Sequence, residues 1–188
     1  SKKSFNSFNS YLSYFRSRGI IVDQGIRQEK IKKELLKIAK KRNYSLNINL
    51  KLLDEVSNIV EKPKVILCKF DKKFLDMPKE VIVTTIEKYQ KFFPAYDKNN
   101  ILINSFFIVA DCEDKKGLIK KGNENVVEAR LTDAEYFWKH NKSQSMLKRV
   151  SDLKNISYFE GLGNYFNKAQ RLKKLSSLLS DELLISKE

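Results

Sequence analysis

The strongest constraint on the fold lies in residues 101–110. Phe106 to Ala110 is an uninterrupted apolar run. A strand with one wet face alternates apolar and polar side chains, and this one is apolar on both faces in its second half. It is therefore expected to be central and covered on both sides. Asn99 and Asn100 precede it, tolerate positive φ, and suit the tight turn of a β-hairpin whose first arm starts at Ala95-Tyr96-Asp97. Layers are then needed on both faces of the sheet. With only 6 Gly and 3 Pro in 188 residues, long regular elements are favoured over a turn-rich sandwich.

The flanking pattern supplies helices. Residues 4–18 carry Phe5, Phe8, Leu12 and Phe15 at helical spacing, with Ser4 as cap and Gly19 as stop. Asp23 is a plausible cap for a helix to about Arg42, with Ile31, Leu35 and Ile38 on its apolar face. Leu52, Leu53, Val56, Ile59 and Val60 mark a helix over 50–60, and Val65 to Cys68 a strand. Pro78 opens a helix over 79–91 with the stripe Ile82, Thr85, Ile86, Tyr89, ended by Phe92-Phe93-Pro94. From Gly122 to about Asn141, Val127, Leu131, Ala134 and Trp138 mark one helix face. Asn123 is its expected cap and Glu124 its first-turn carboxylate. Arg130 and Asp133, three apart, are expected to form a half-buried brace. Residues 147–153 read as a short helix and 156–159 as a short strand or connector. A last helix carries Leu162, Phe166, Ala169, Leu172, Leu175 and Leu179 on one face. The pattern is α+β followed by a C-terminal helical segment.

The net charge of +14 attracts polyanions. Its composition tempers that: 30 Lys against 7 Arg fits the codon bias of an AT-rich genome as well as it fits a polyanion partner, since readers of phosphates and bases favour the forked Arg. The charge is concentrated in two places. Between Arg27 and Arg42 there are eight basic residues and two acids, Glu29 and Glu34, which partly neutralise a solvated face. No acid interrupts Lys168, Arg171, Lys173 and Lys174. The phosphate-contact candidates are Lys30, Lys33, Lys37, Lys40, Lys41, Arg42, Lys168, Arg171 and Lys174.

Catalytic and metal signatures are few. His140 is the only histidine, and Cys68 and Cys112 form no CxxC. Gly161-Leu162-Gly163 lacks the third glycine of a dinucleotide fingerprint, Phe166 standing there. No metal site or catalytic residue is expected. Ser1-Lys2-Lys3-Ser4 opens no apolar signal region and no apolar run is long enough to span a membrane, so a cytosolic location is expected.

Four blocks carry a family resemblance. Val81 to Pro94 (VIVTTIEKYQKFFP) and Ile119 to Phe137 (IKKGNENVVEARLTDAEYF) resemble blocks of the bacterial glycyl-tRNA synthetase beta subunit. Leu53 to Glu61 and Phe159 to Gly163 support them in the right order. This chain has Tyr89 where the family has His, which assigns that position to packing, and Asn125 where the family favours a basic residue. The resemblance covers nearly all of this chain but only an inner portion of the family's subunit. It implies a mixed sheet of about four to six strands packed with helices over 1–155, like the editing domain of the phenylalanyl-tRNA synthetase beta subunit. The start of a helical, HD-like region would follow over 156–188. It also implies an assembly of two alpha and two beta subunits, with ATP, magnesium and glycine chemistry on alpha and recognition of the glycine tRNA on beta. Gln90, Lys91, Gly122, Asn123, Glu124, Arg130, Asp133 and Glu135 are the family-motif residues, read as structural.

Three functions compete: a tRNA-binding structural module, a scaffold for the alpha subunit, and a vestigial editing hydrolase. Physical chemistry opposes the last. Glycine has no smaller competitor, so a tight synthetic pocket excludes every other amino acid sterically and editing is unnecessary.

Overall fold

The computed structural model describes residues 3–183. The chain divides into two compact units, Ser1–Tyr136 and Phe137–Glu188. The division falls within a helix, earlier than the boundary at 155 suggested by sequence.

The first unit is built on an antiparallel sheet of β1 (Lys64–Lys69), β2 (Phe93–Tyr96) and β3 (Leu102–Ala110), in the order β1-β3-β2. The apolar strand β3 is central, as its two-faced pattern requires, and pairs Ile66 with Ile108 on one side and Phe93 with Phe107 on the other. Asn100 takes φ 61° in the hairpin turn, where the Asp97 carboxylate accepts from the N–H groups of Asn99 and Ile101 at 2.8 Å. The sheet corrects the expectation of a mixed sheet with four to six strands: it has three, all antiparallel, among the described residues. Phe93 and Pro94, read as helix-ending, lie in β2 instead.

Successive strand residues face opposite sides. One side carries Phe93, Ala95 and Phe107 into a core with Ile31, Leu35 and Ala39 of α2 (Gln24–Arg42) and Leu52, Leu53 and Val56 of α3 (Leu50–Ile59). The other carries Cys68, Phe106 and Ile108, all buried, and Phe106 stacks on Phe70 and Phe92. Both helices are capped as their chemistry dictates. Asp23 accepts from Ile26 N at 2.9 Å and Asn49 from Lys51 N at 3.1 Å, and Asn43 ends α2 in the left-handed region. The first helix, α1 (Phe8–Arg16), is capped by Ser7 rather than Ser4.

Two further expectations give way. The helix after Pro78 is α4 (Lys79–Val83) followed by a π-helical stretch, Thr84–Tyr89. A turn closed by i→i+5 bonds advances less per residue than an α turn, so the stripe does not stay in line. Ile82, Thr85 and Ile86 are buried while Tyr89 is 66% exposed, which removes the packing role assigned to that position. Helix α5 (Leu118–Lys142) begins at Leu118 rather than Gly122. Its cap is the Asp114 carboxylate, which accepts from Ile119 N and Lys120 N at 3.1 and 2.8 Å. Asn123 is therefore interior, donating to Ile119 O at 2.8 Å, and Glu124 lies beyond the first turn.

The second unit holds α6 (Met146–Asp152), the short antiparallel pair β4 (Ser157–Phe159) and β5 (Gly163–Asn164), and α7 (Tyr165–Glu182). A capping box joins Asn164 and Asn167 at the start of α7. Gly163 is required there. Its φ is +78°, and an added Cβ would sit 2.7 Å from the Asn167 side-chain oxygen.

Candidate nucleic-acid interface

At 3.6 residues per turn, Lys30, Lys33, Lys37, Lys40 and Lys41 fall within an arc of roughly 100° on α2. The buried positions Ile31, Leu35 and Ala39 are centred on the opposite side of the helix. The core therefore fixes the lysine stripe outward. Lys33, Lys37, Lys40 and Lys41 are exposed and Lys30 is half-buried. None of the five pairs with a carboxylate among the described residues. Arg42 is exposed in the last turn beside Lys40 and Lys41, where cations complement the helix dipole.

Two other charges on this helix have different work. Arg27, counted with the basic face in sequence, is turned into the fold. Its Nε donates to Ser57 O at 2.8 Å, and its Nη1 to Ile21 O and Val22 O at 2.7 Å each. Glu34, counted as neutralising the face, accepts from Val65 N at 3.2 Å. Glu124 of α5 accepts from Lys69 N at 2.8 Å. Two helix carboxylates thus satisfy N–H groups along the outer edge of β1, one of the ways a fold protects an edge strand. Sequence inspection missed this role because nothing local marks it. Glu34 shares α2 with Glu29, and Glu124 shares α5 with Glu128, Asp133 and Glu135, so residue type did not single either one out.

The candidates on α7 divide. Lys168 lies over the Tyr158 ring at 4.2 Å and the Tyr165 ring at 5.6 Å. Arg171 Nη1 donates to Leu162 O at 3.1 Å. Both serve the local fold, while Lys174 is exposed.

The family-motif residues do not converge on one site. Lys91, at φ 60°, pairs with Glu55, whose carboxyl is held below its usual range chiefly by that hydrogen bond. Gln90 ends the π-helical stretch. Nearby Glu87 is held above the usual carboxylate range by burial, opposed by its hydrogen bond from Asn49. Glu124 and Asn125 line a separate open cleft with Lys69, Asp71 and Asn104. Gly122 is exposed on α5, and Glu135 is half-buried further along it. Arg130 and Asp133 are 3.9 Å apart with side chains 61% and 66% exposed. They form a solvated surface pair, not the half-buried brace expected. Their helix buries only the Val127–Leu131 line there, and 130 and 133 lie off it.

The fold and this surface define an α+β module with a one-sided cationic helix, a form suited to polyanions. The glycyl-tRNA synthetase beta subunit family model matches residues 1–188. A glycine–tRNA ligase beta subunit of Stutzerimonas stutzeri is 38% identical over 174 residues, 92% of this chain and 25% of that protein. That of Dictyoglomus thermophilum is 36% identical over 181 residues, covering 96% and 26%. That of Streptococcus agalactiae is 35% identical over 185 residues, covering 97% and 27%. The chain belongs to the glycyl-tRNA synthetase beta subunit family, and it spans about a quarter of the length of the curated relatives it matches.

Proposed function

We propose that this segment serves a glycine–tRNA ligase as a tRNA-contacting structural module, with the ATP- and glycine-dependent chemistry on an alpha subunit. The lysine stripe of α2 carries this reading. Five cations stand on one face, opposite the core and without carboxylate partners among the described residues. Such a face neutralises phosphates and releases counterions whatever the base sequence. Replacing Lys33, Lys37 and Lys41 together by Gln should weaken tRNA binding and lower the slope of log affinity against log salt by about 2–3, near 0.7–0.9 per lost phosphate contact. An unchanged slope would remove the stripe from the interface.

A second reading has its own observation. No residue of α7 is buried among those described, and Leu172, Leu175, Leu178 and Leu179 are each more than half exposed. Exposed apolar rows of this kind favour a protein contact, such as the alpha subunit. A pull-down by the alpha subunit that fails on Leu172→Ser/Leu175→Ser, while tRNA binding persists, would support it.

A further inference from the structure

At the N-terminal end of α2, its outward face meets an apolar groove. Phe8 and Leu12 of α1, Ile21 of the connecting stretch and Ile26 of α2 line it, with Arg16 and Asp23 also in its wall. Phe8 is 70% and Ile26 55% exposed, so the apolar surface is open to solvent. Its volume of about 320 Å³ lies at the lower end of the range for small organic ligands. Ile26, Lys30, Lys33, Lys37 and Lys41 follow one another at spacings of 4, 3, 4 and 4, hence on one helix face. The groove is the continuation of the lysine stripe, with about 22 Å of helix from Ile26 to Lys41.

From these features we infer that the groove receives an unpaired base of an RNA whose phosphates track the stripe. The inference rests on the reading of the stripe as a phosphate surface. Charge selects the occupant. Residues 1–22 contain Lys2, Lys3, Arg16 and Arg18 and no acid, and the adjoining helix face is lysine-rich. Asp23, the carboxylate in the groove wall, is engaged as the α2 cap through its bond from Ile26 N at 2.9 Å. A polyanion with flat apolar faces matches both halves of this surface. The Phe8 ring lies parallel to Tyr11, with centroids 6.2 Å apart and planes 14° apart, and its exposure leaves it available for stacking. Base stacking on an aromatic side chain is indifferent to base identity, because every base has a π-face.

The test compares two probes on the intact chain: a blunt RNA hairpin, and the same hairpin with a four-nucleotide 3′ extension carrying 2-aminopurine. The extended probe should bind at least fivefold tighter, with quenched 2-aminopurine fluorescence. Phe8→Ser, at an exposed position, should abolish the preference and the quenching while leaving blunt-hairpin affinity and salt slope unchanged. Lys33→Gln/Lys37→Gln/Lys41→Gln should weaken both probes. Equal binding of the two probes by the wild type overturns the groove assignment and leaves the stripe standing. Unchanged affinities in the triple variant overturn the stripe and the groove assignment that rests on it. A Phe8-dependent dimer in sedimentation would give the groove to a second copy of the chain, and also overturns the proposal.

Discussion

Arg27→Ala separates a structural cation from an interfacial one. The guanidinium joins three carbonyls from two segments: Ile21 and Val22 of the stretch before α2, and Ser57 near the end of α3. The first stretch has one more tie to the region after α3, Ile21 N to Glu61 O at 2.9 Å. Hydrogen bonds to a charged group contribute about 1.5–3 kcal/mol each. Three at full value would exceed what a half-buried site sustains, because water replaces part of the loss at Ile21 and Val22. We therefore expect about 3 kcal/mol, a fall in Tm of roughly 6–12 °C for a chain of this size. Arg27→Lys should recover less than half, since one ammonium cannot reproduce the fork toward both segments. Thermal unfolding followed by circular dichroism reads the effect, with Lys33→Ala as a solvated control expected within about 0.5 kcal/mol of wild type. If Arg27→Ala melts within about 2 °C of wild type but binds tRNA less tightly, the guanidinium belongs to the interface and the reasoning fails.

Arg130→Ala should cost less than about 0.5 kcal/mol in urea unfolding, as expected of an exposed i,i+3 pair, and a loss above about 1.5 kcal/mol would restore the buried brace. Burial raises the Glu87 pKa in the folded state, so the native chain holds that proton longer than the unfolded one, and the Glu87 contribution to stability falls as pH rises from about 4.5 through the raised value. Glu87→Gln should remove that fall, seen as a wild-type minus variant stability difference that grows more negative over this window; a flat difference would refute it. Burial pushes the Cys68 thiol up to about 12, whereas Cys112 is exposed, so a thiol reagent at pH 8 should titrate one group rapidly in the native chain and the second only on unfolding. Fast reaction of both would show that the core opens.

Periodicity was a reliable guide where local sequence and burial agree. The two-faced apolar run put β3 at the centre, Asp23 opened α2, and Pro78 opened α4, because caps, turns and alternation act within a few residues. It failed where a regular α pattern is broken by a contact or a turn that periodicity does not encode. The start of α5 depends on the Asp114 carboxylate reaching forward past Gly117, and the π turn after α4 moves Tyr89 off a stripe that a regular helix would have kept.

By itself the sequence determined most of the helices, the central strand, the family and the cationic character of α2, since these follow from residue identity and spacing. Only the tertiary structure decided what each charge does. Arg27, Glu34 and Glu124 look like surface charges in sequence, yet each meets backbone groups brought close by folding: Ser57 for Arg27, and the outer edge of β1 for the two acids. The physical reason is that a long charged side chain takes the nearest unsatisfied polar group, and only packing sets which group that is. What those pairings leave on α2, the stripe from Lys30 to Lys41 and the groove at its end, is the face we propose for RNA.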